Sequence, residues 1–498
     1  MNFSKSKYCN YKQCPKMAWL NKYRPELYVQ DSAAEARFVN GNEVGDLAMG
    51  LFGDFVEVTV KDINGKINIP EMIENTKECI KNGVQNICEA SFEYNGLYCV
   101  VDILRQDGDG YAIYEVKSST HPENYAYIVD ISYQKYVLEK CGLKINKTFT
   151  VTIDSSYVRG DDLDIKALFK ITDLTDIVIK EQASVEATLK EAEEYLASRE
   201  EPQKNISRAC FEPYSCGYWQ HCSAHLPTPS VFDLYRLSKA KKFEYYNMGI
   251  VSFDDIEKTG WFLSPQINNQ VQYYLHDKGI YADKEGIKKF LDTLSYPLYF
   301  LDFETMQSII PQFKGVSPYA QVPFQYSLHY IEEEGGELKH KEFLAQSGED
   351  PRRTIAESLC ENIPDNACCL AYNKSFECAR LGELATLFPD LSIHLMAIRH
   401  NMKDLLDVFK GGLYYRKEIG GSFSIKSVLP AMFPNDPELD YHNLDGVHNG
   451  TEAMNVFPII QFLPEEEQEI ARHNLLKYCE LDTYAMVKIW QELNNLVK

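Results

Sequence analysis

The amino-acid sequence predicts an α/β protein of more than one domain, and three observations carry that expectation. The chain has 498 residues, too many for one hydrophobic core. Two separate stretches, VVDILRQDGDGYAIYEVKSS and YPLYFLDFETM, alternate with the period of a strand and carry paired carboxylates. EATLKEAEEYLASREEP and LLKYCELDTYAMVKIWQEL have the period of helices. A hydrophobic content of 45% and a charged content of 25% are those of an ordinary globular chain. No apolar run approaches the roughly 18 residues that span a membrane. The N-terminal MNFSKSKYCNYKQC lacks the apolar core of a secretory signal. A cytoplasmic protein without a membrane partner is expected.

A net charge of −22 argues against a passive nucleic-acid coat protein, whose affinity rests on neutralising phosphates. It does not argue against a nuclease, because acidic metal sites add negative charge. Residues 1–25 carry Lys5, Lys7, Lys12, Lys16, Lys22 and Arg24, with no acid before Glu26. That segment is expected to contact phosphate, with a solvated basic tail as the alternative.

In the first acidic stretch, Tyr111, Ile113, Glu115 and Lys117 fall on one strand face, and Val100, Asp102 and Leu104 share a face of the preceding run. The QDGDG between them suits a hairpin that brings Asp102 close to Glu115. Two carboxylates and a lysine among apolar neighbours are costly unless a cation and a substrate use them. Asp102 and Glu115 are therefore candidate Mg2+ or Mn2+ ligands. Lys117 is the candidate to orient water or stabilise developing charge in phosphodiester hydrolysis. The alternative is an amphipathic hairpin with its charges in solvent. Glu89, in ICEASFEYNG, is either a further acid of this site or an edge-strand charge.

Fourteen cysteines without an export signal are expected to be reduced. Most sit in apolar or helical contexts as core fillers. CFEPYSCGYWQHC instead places Cys210, Cys216 and Cys222 in a loop after a helix ended by Pro202. Zinc and iron–sulfur centres normally take four ligands. Cys14, in QCPKMAWL, is the candidate fourth, with Cys9 in reserve; His221 and His225 leave a zinc site open.

CPKMAWL, the Asp102…Glu115-x-Lys117 pattern and the cysteine triplet together resemble RecB-family nucleases with an iron–sulfur cluster, a group that includes the AddB nuclease domain and four-cysteine CRISPR-associated exonucleases. The resemblance covers residues 1–225 and implies a PD-(D/E)xK restriction-endonuclease-like domain. It implies that Cys14, Cys210, Cys216 and Cys222 bind a [4Fe–4S] cluster, and that Gln134 and Tyr136 in SYQKYVLE belong to the helix motif after the active site. Many such relatives have a metal-binding histidine on the first helix. GNEVGDLAMG has Glu43 and Asp46 there instead, and Asp46 is the expected ligand.

YPLYFLDFETM opens a second constellation, with Leu298, Phe300, Asp302 and Glu304 on one strand face and Tyr299, Leu301 and Phe303 on the other. Partners follow in order: Asn373, Phe376 and Glu377 where a strand enters a helix, Asp404 and Asp407 in RHNMKDLLDVF, then Tyr478 and Asp482 one helical turn apart. Carboxylates so placed can hold two ions roughly 3.5–4 Å apart. Residues 226–295 read as a helical connector; NMGIVSFDDI within them resembles a phosphate-holding helix-hairpin-helix turn.

This series resembles the DnaQ-like DEDD exonucleases of the tyrosine subtype, on an RNase H-like fold, over residues 296–498. The resemblance implies that Asp302, Glu304 and Asp482 bind metal, that Glu377 stands where aspartate is usual, and that Tyr478 handles the attacking water. Asp404 matches an aspartate that is often structural, and Lys426 is a candidate phosphate contact. The whole layout resembles bacterial RecB-type nucleases. It implies a divalent-metal-dependent DNA exonuclease acting on single-stranded ends, in DNA repair or foreign-DNA defence, with helicase or repair partners. Two alternatives stay open: a 3′-5′ exoribonuclease with a non-catalytic N-terminal domain, and a non-catalytic nucleic-acid scaffold.

Overall fold

The computed structural model describes residues 3–30, 32–261 and 263–498, with residues 32–40 described by backbone alone. The chain is a mixed α/β protein forming two compact units: Met1–His225 with Ser308–Ala320, and Leu226–Gln307 with Gln321–Lys498.

In the first unit, helices α1 (Lys5–Gln13), α2 (Pro15–Tyr23) and α3 (Ser32–Met49) precede a meander of β1 (Asn86–Tyr94), β2 (Leu97–Asp107) and β3 (Gly110–Lys117). Helix α4 (Tyr125–Lys140) then leads to β4 (Ile145–Ile153), which pairs parallel with β3, and β5 (Phe169–Asp173) adds antiparallel. The parallel pair needs such a crossover helix. The expected hairpin turn forms, with Asp107 paired to Gly110 around Gly108 at φ +58.

Strand β3 buries both faces. Tyr111 and Ile113 pack with Val101, Leu104 and residues of α4, while Ala112, Tyr114 and Val116 join Ile103 and Val151 in a second cluster. Alternation along β2 departs from the expected period. Val101 and Leu104 share one cluster and Ile103 lies in the other, so the face expected to hold Val100, Asp102 and Leu104 is broken at Asp102. Strand β1 slips likewise, with Ile87 and Ala90 on one side and Cys88 on the other. The ladder pairs Cys88 with Ile103 and Ala90 with Val101, leaving Glu89, at φ 58, opposite Asp102. Such irregularities re-aim side chains at a site.

The start of the chain is tied to the end of this unit. Gln13 Nε2 donates to Ala209 O (2.9 Å) and Tyr214 O (2.7 Å), and Trp19 Nε1 donates to Ser198 O (2.8 Å). Tyr218 OH donates to Asn21 Oδ1 at 2.7 Å. A side chain at Gly217 would meet the Tyr28 ring at 2.4 Å, so only glycine permits this approach. Ser308–Ala320, expected within the 296–498 domain, belongs to this unit. Arg159 N donates to Val316 O (3.0 Å), and Arg159 Nη1 to Pro311 O (2.7 Å).

The second unit centres on a five-stranded sheet: β6 (Leu298–Gln307), β7 (Gln321–Ile331), β8 (Lys339–Leu344), β9 (Cys368–Ala371) and β10 (Met402–Asp404), in the order β8-β7-β6-β9-β10. Strand β7 is antiparallel to β6 and β8, whereas β9 is parallel to β6 and β10. Tyr299, Leu301 and Phe303 pack one face with Tyr326, Leu328 and Leu381, the last from α5 (Ser375–Leu387). On the other face the long helix α7 (Glu465–Val497), which follows α6 (Ile425–Met432), crosses β6 and β7. Gln325 Nε2 on β7 donates to Leu475 O at 2.8 Å, and Phe300 on β6 meets Trp490 edge-on at 5.7 Å.

Residues 226–295, expected as a separate connector, belong to this second unit. Ile280–Ala282 pairs antiparallel with Tyr414–Arg416, the Tyr235 ring lies 4.1 Å from that of Phe423, and Gln270 bonds both Tyr235 N and Asp233 O. In NMGIVSFDDI, the stretch that resembles a helix-hairpin-helix turn, two amides are bonded within the chain. Asp255 Oδ2 accepts from Val251 N (3.1 Å) and Ser252 N (2.9 Å), so these amide donors are already satisfied within the chain.

Gly421 lies where an added Cβ would sit 1.9 Å from Asp233 O. Gly421→Ala is expected to lower the thermal midpoint of the second unit by several degrees, as overpacking costs about 1–3 kcal/mol. Calorimetry of the full chain checks it; an unchanged midpoint would mean that residues 226–295 are not integrated there.

Candidate functional site

In the second unit, one ligand atom each from Asp302, Glu304 and Asp482 lies within 4.8 Å of the others. The first two come from alternate positions of β6 and the third from α7, so the strand period and the helix packing meet at one point. Burial, reinforced by Asp482, Glu304 and Glu377, holds the Asp302 carboxyl well above the usual carboxylate range. Burial and Asp482 do the same to Glu304, against the pull of Lys426. Asp482 is also raised by burial, opposed by hydrogen bonds from Tyr441 and Tyr478. Three acids crowded in this way repel one another when ionised; a bound cation removes that cost.

Glu377 opens α5 and is 2% exposed. Its Oε2 is buried with no hydrogen-bond partner, and burial together with Asp404 pushes its carboxyl up to about 8. An orphaned buried oxygen fits a cation ligand; Glu377 acts electrostatically on Asp302 but is not among the ligand atoms within 4.8 Å of one another. Asp404 acts differently. Its Oδ1 accepts from Asn373 N (2.9 Å) and Leu406 N (3.1 Å), holding Asn373 at φ 73 where the chain turns into α5. The structural reading of Asp404 fits this geometry.

Tyr478 OH accepts from Lys426 Nζ at 3.2 Å, and Lys426 also donates to His448 O at 2.8 Å. The ammonium lies over the rings of Tyr441 and Tyr478, at 4.9 and 4.8 Å. Lys426 is thus part of the site. Burial lowers its pKa against the surrounding acids. Tyr441 OH donates to Asp482 Oδ1 at 2.5 Å. No periodicity marks Tyr441, which lies on a short 3-10 turn, and the sequence reading missed it. A Cβ at Gly450 would sit 3.4 Å from Glu304 Oε2, so the wall there is backbone. Beside this wall opens a groove of about 820 Å3, lined by Lys426, Tyr441, His442, Asn443 and His448.

In the first unit hydrogen bonds join Glu115 to Lys117 and Gln134, and Asp102 accepts from the neighbouring Val116 N; two residues the sequence reading did not place there join them. Glu115 Oε1 accepts from Lys117 Nζ (2.5 Å) and from Lys5 Nζ (3.0 Å), and its Oε2 accepts from Gln134 Nε2 (2.6 Å). Asp130 takes a second bond from Lys117 (2.9 Å) and from Gln134 (3.0 Å), and pairs with Lys5 at 3.2 Å. Asp130 stands four residues before Gln134 on α4, a same-face spacing legible in SYQKYVLE and its upstream turn. Asp102 Oδ2 accepts from Val116 N at 2.7 Å, where the hairpin ladder has ended. Burial, then Asp102 and Asp130, push Glu115 up to about 7. Glu89, also near 7 through burial, feels Glu115 and Asp46. It belongs to this acid group rather than to an edge-strand surface.

Two expectations for this unit need correction, and its three expected metal ligands are not drawn into one group. Tyr136 lies two residues from Gln134 and so on another side of α4, with the Lys140 ammonium 5.2 Å from its ring. Asp46 is exposed on α3. Among the described residues, the groups with ligand atoms within 4.8 Å are Asp302, Glu304 and Asp482, and His329, His340 and Glu480; Asp46, Asp102 and Glu115 are not so gathered. The basic N-terminal segment is largely spent inside the fold. Lys5 binds Glu115 and Asp130, Lys12 pairs with Glu181, Lys16 with Glu201, and Arg24 with Glu26, while Lys22 donates to Leu196 O.

Cys14, Cys210, Cys216 and Cys222 line one small cavity with Met17, Leu20 and Trp219. Burial raises Cys216 to about 11, and the neighbouring cysteines add to the rise. Cys9 lies elsewhere, near Asp130 and Lys5. His221 bonds Glu201 (2.9 Å) and His225 bonds Cys222 O (3.1 Å). Among the described residues the four thiols do not form a group within 4.8 Å. A tetrahedral zinc, at about 2.3 Å from each sulfur, would draw them to about 3.8 Å apart.

A family model described as "Domain of unknown function (DUF2779)" matches residues 299–424, which contain Asp302, Glu304, Glu377 and Asp404. The chain is 27% identical over 245 residues to an "Uncharacterized protein MG366 homolog" of Mycoplasma pneumoniae, covering 44% of this chain and 36% of that protein. It is 28% identical over 251 residues to "Uncharacterized protein MG366" of Mycoplasma genitalium, covering 46% and 37%. For "Uncharacterized protein UU173" of Ureaplasma parvum the identity is 26% over 252 residues, covering 46% and 34%. The chain thus spans about a third of the length of the curated relatives it matches. Among the described residues no helix is long and apolar enough to cross a membrane.

The raised carboxyls set a pH dependence. Glu377 retains its proton up to about 8 when folded, against 4.5 for the ordinary group. The native state therefore holds protons that the unfolded chain has lost, and stability falls as pH rises between those values. In chelator, the thermal midpoint of the full chain is expected to drop by about 3 °C or more from pH 5 to pH 8. Mn2+ should reduce the drop. A midpoint that rises over this range would contradict the assignment.

Proposed function

We propose that this chain is a divalent-metal-dependent nuclease whose main phosphodiester-hydrolysing centre is the Asp302–Glu304–Asp482 cluster, with DNA ends as the substrate. The observation that carries the reading is the gathering of three carboxylates, Glu304 and Asp482 buried and Asp302 partly so, with the unpartnered Glu377 oxygen in the same unit and its charge felt at Asp302. The mixed sheet with acids on its central strand and α7 across one face supports a DnaQ-like, RNase H-like reading of this unit.

Asp302, Glu304 and Asp482 would hold the first Mg2+ or Mn2+, and Glu377 would complete a second site. Such ions supply water activation and stabilise the leaving oxygen. The chain's own groups do the rest. Tyr478 OH, held between Lys426 and Asp482, orients the attacking water. Lys426 places positive charge where phosphate enters from the groove. Tyr441 fixes Asp482 in one rotamer through its short hydrogen bond.

The first unit supports a second, RecB-like centre built from Asp102, Glu115 and Lys117, with Glu89 as an added acid. Here Lys5 and Lys117 neutralise the carboxylates, so Lys5 must withdraw before an ion binds. Cys14, Cys210, Cys216 and Cys222 would hold a [4Fe–4S] cluster joining α1–α2 to the 208–222 segment. Foreign-DNA defence or repair is the corresponding biological setting.

End-labelled single- and double-stranded DNA and RNA of equal sequence test this with Mn2+ or Mg2+. Asp302→Asn should lower the rate by at least ~100-fold, and Tyr478→Phe by roughly 10–100-fold. A double variant Asp102→Asn, Asp302→Asn that digests every substrate at the wild-type rate would end the proposal. Anaerobically purified protein should be brown, with four irons per chain on the cluster reading, and Cys216→Ser should lose the colour. Colourless protein carrying one zinc would replace the cluster with a zinc site.

A further inference from the structure

A second ligand set lies on the same sheet face and touches the same helix, but uses different chemistry. His329 on β7 and His340 on β8 are register partners, and their rings lie 4.5 Å apart at 35°. Glu480 comes from α7. One ligand atom from each of the three lies within 4.8 Å of the others. His329 is buried, while His340 and Glu480 are partly exposed, which leaves a path to solvent.

A chain of hydroxyls fixes what the imidazoles can offer. Thr483 Oγ1 contacts Glu480 O (3.1 Å), Ser327 Oγ (2.7 Å) and His329 Nδ1 (2.8 Å), and Ser327 Oγ contacts His340 Nε2 (2.9 Å). One assignment satisfies all four contacts. The carbonyl only accepts, so Thr483 donates to it. Thr483 then accepts from Ser327 and from His329 Nδ1–H, and Ser327 in turn accepts from His340 Nε2–H. Each neutral imidazole is left with its other nitrogen as a lone pair: Nε2 on His329 and Nδ1 on His340. Glu480 binds Lys477 through Oε2 at 2.7 Å, which leaves Oε1. Hydrogen bonds that set the tautomer of a ligating histidine are the usual support of a metal site.

We infer that His329, His340 and Glu480 form a transition-metal site of the two-histidine, one-carboxylate type, selective for Zn2+ over Mg2+. Imidazole suits zinc, and an all-oxygen cage suits magnesium. The ion would clamp α7 to β7 and β8 two residues from Tyr478 and Asp482, holding the helix that carries them. The site does not depend on the nuclease reading, since it shares no ligand with the carboxylate cluster.

The test is zinc binding by the full chain after chelator treatment, with Mg2+ in excess, read by equilibrium dialysis and metal analysis. The wild type should bind one more zinc per chain than His340→Gln or Glu480→Gln, with circular dichroism showing that both variants are folded. Asp302→Asn should keep that zinc, which separates this site from the proposed nuclease centre. Crystals soaked in Zn2+ should give an anomalous peak between the three side chains. Equal zinc in the wild type and both variants, or no peak there, overturns the inference.

Discussion

The cost of placing several carboxylates together away from water governs this structure. In the second unit that cost is concentrated on β6 and α7. Asp302 and Glu304 sit on a strand whose opposite face is filled by Tyr299, Leu301 and Phe303. Asp482 is brought down onto them by a 33-residue helix. Among the described residues Asp302, Glu304 and Asp482 meet one ammonium, from Lys426, and two phenols, while the Arg380 guanidinium acts on Glu377. The three clustered acids are therefore not balanced by the protein itself. The helix packing that creates this imbalance also closes one wall, because Gly450 keeps side-chain atoms away from Glu304.

The first unit meets the same constraint by other means. Glu115 is 1% exposed, yet it is matched by Lys5, Lys117 and Gln134, and Asp130 draws on the same three donors. A buried pair of this sort stabilises little in net terms, but removing one partner strands a charge and is severe. Lys5 therefore has a structural hold on the hairpin, and most of the other N-terminal cations are likewise engaged in ion pairs or hydrogen bonds within the chain. The slip at Glu89 and Asp102 turns both carboxyls toward this cluster instead of continuing the ladder.

Cys14, Cys210, Cys216 and Cys222 line one cavity in a region tied together by a few hydrogen bonds. Gln13, Trp19 and Asn21 already tie the first two helices to the 198–218 region. A centre held by thiols from both segments would make that closure depend on metal and redox state. Burial keeps Cys216 protonated at neutral pH, so ligand binding there displaces a proton.

Strand period and short-range spacing were legible in the amino-acid order. The two faces of β6, the hairpin around Gly108 and the same-face pair Tyr478 and Asp482 all follow from local pattern. So do the three carboxylates of the cluster: strand period puts Asp302 and Glu304 on one face, and Asp482 closes the group from α7. The rest needed three dimensions. Lys5, Tyr441 and Glu89 join their sites through contacts distant in sequence or through a backbone slip that no period records. Tyr136 was misplaced because a motif position on a helix says nothing of which side faces the strands. The 226–295 segment looked like a linker because its ties to Lys410, Tyr414 and Gly421 cross more than a hundred residues. Periodicity reports which face of an element is apolar, whereas only packing decides what that face meets.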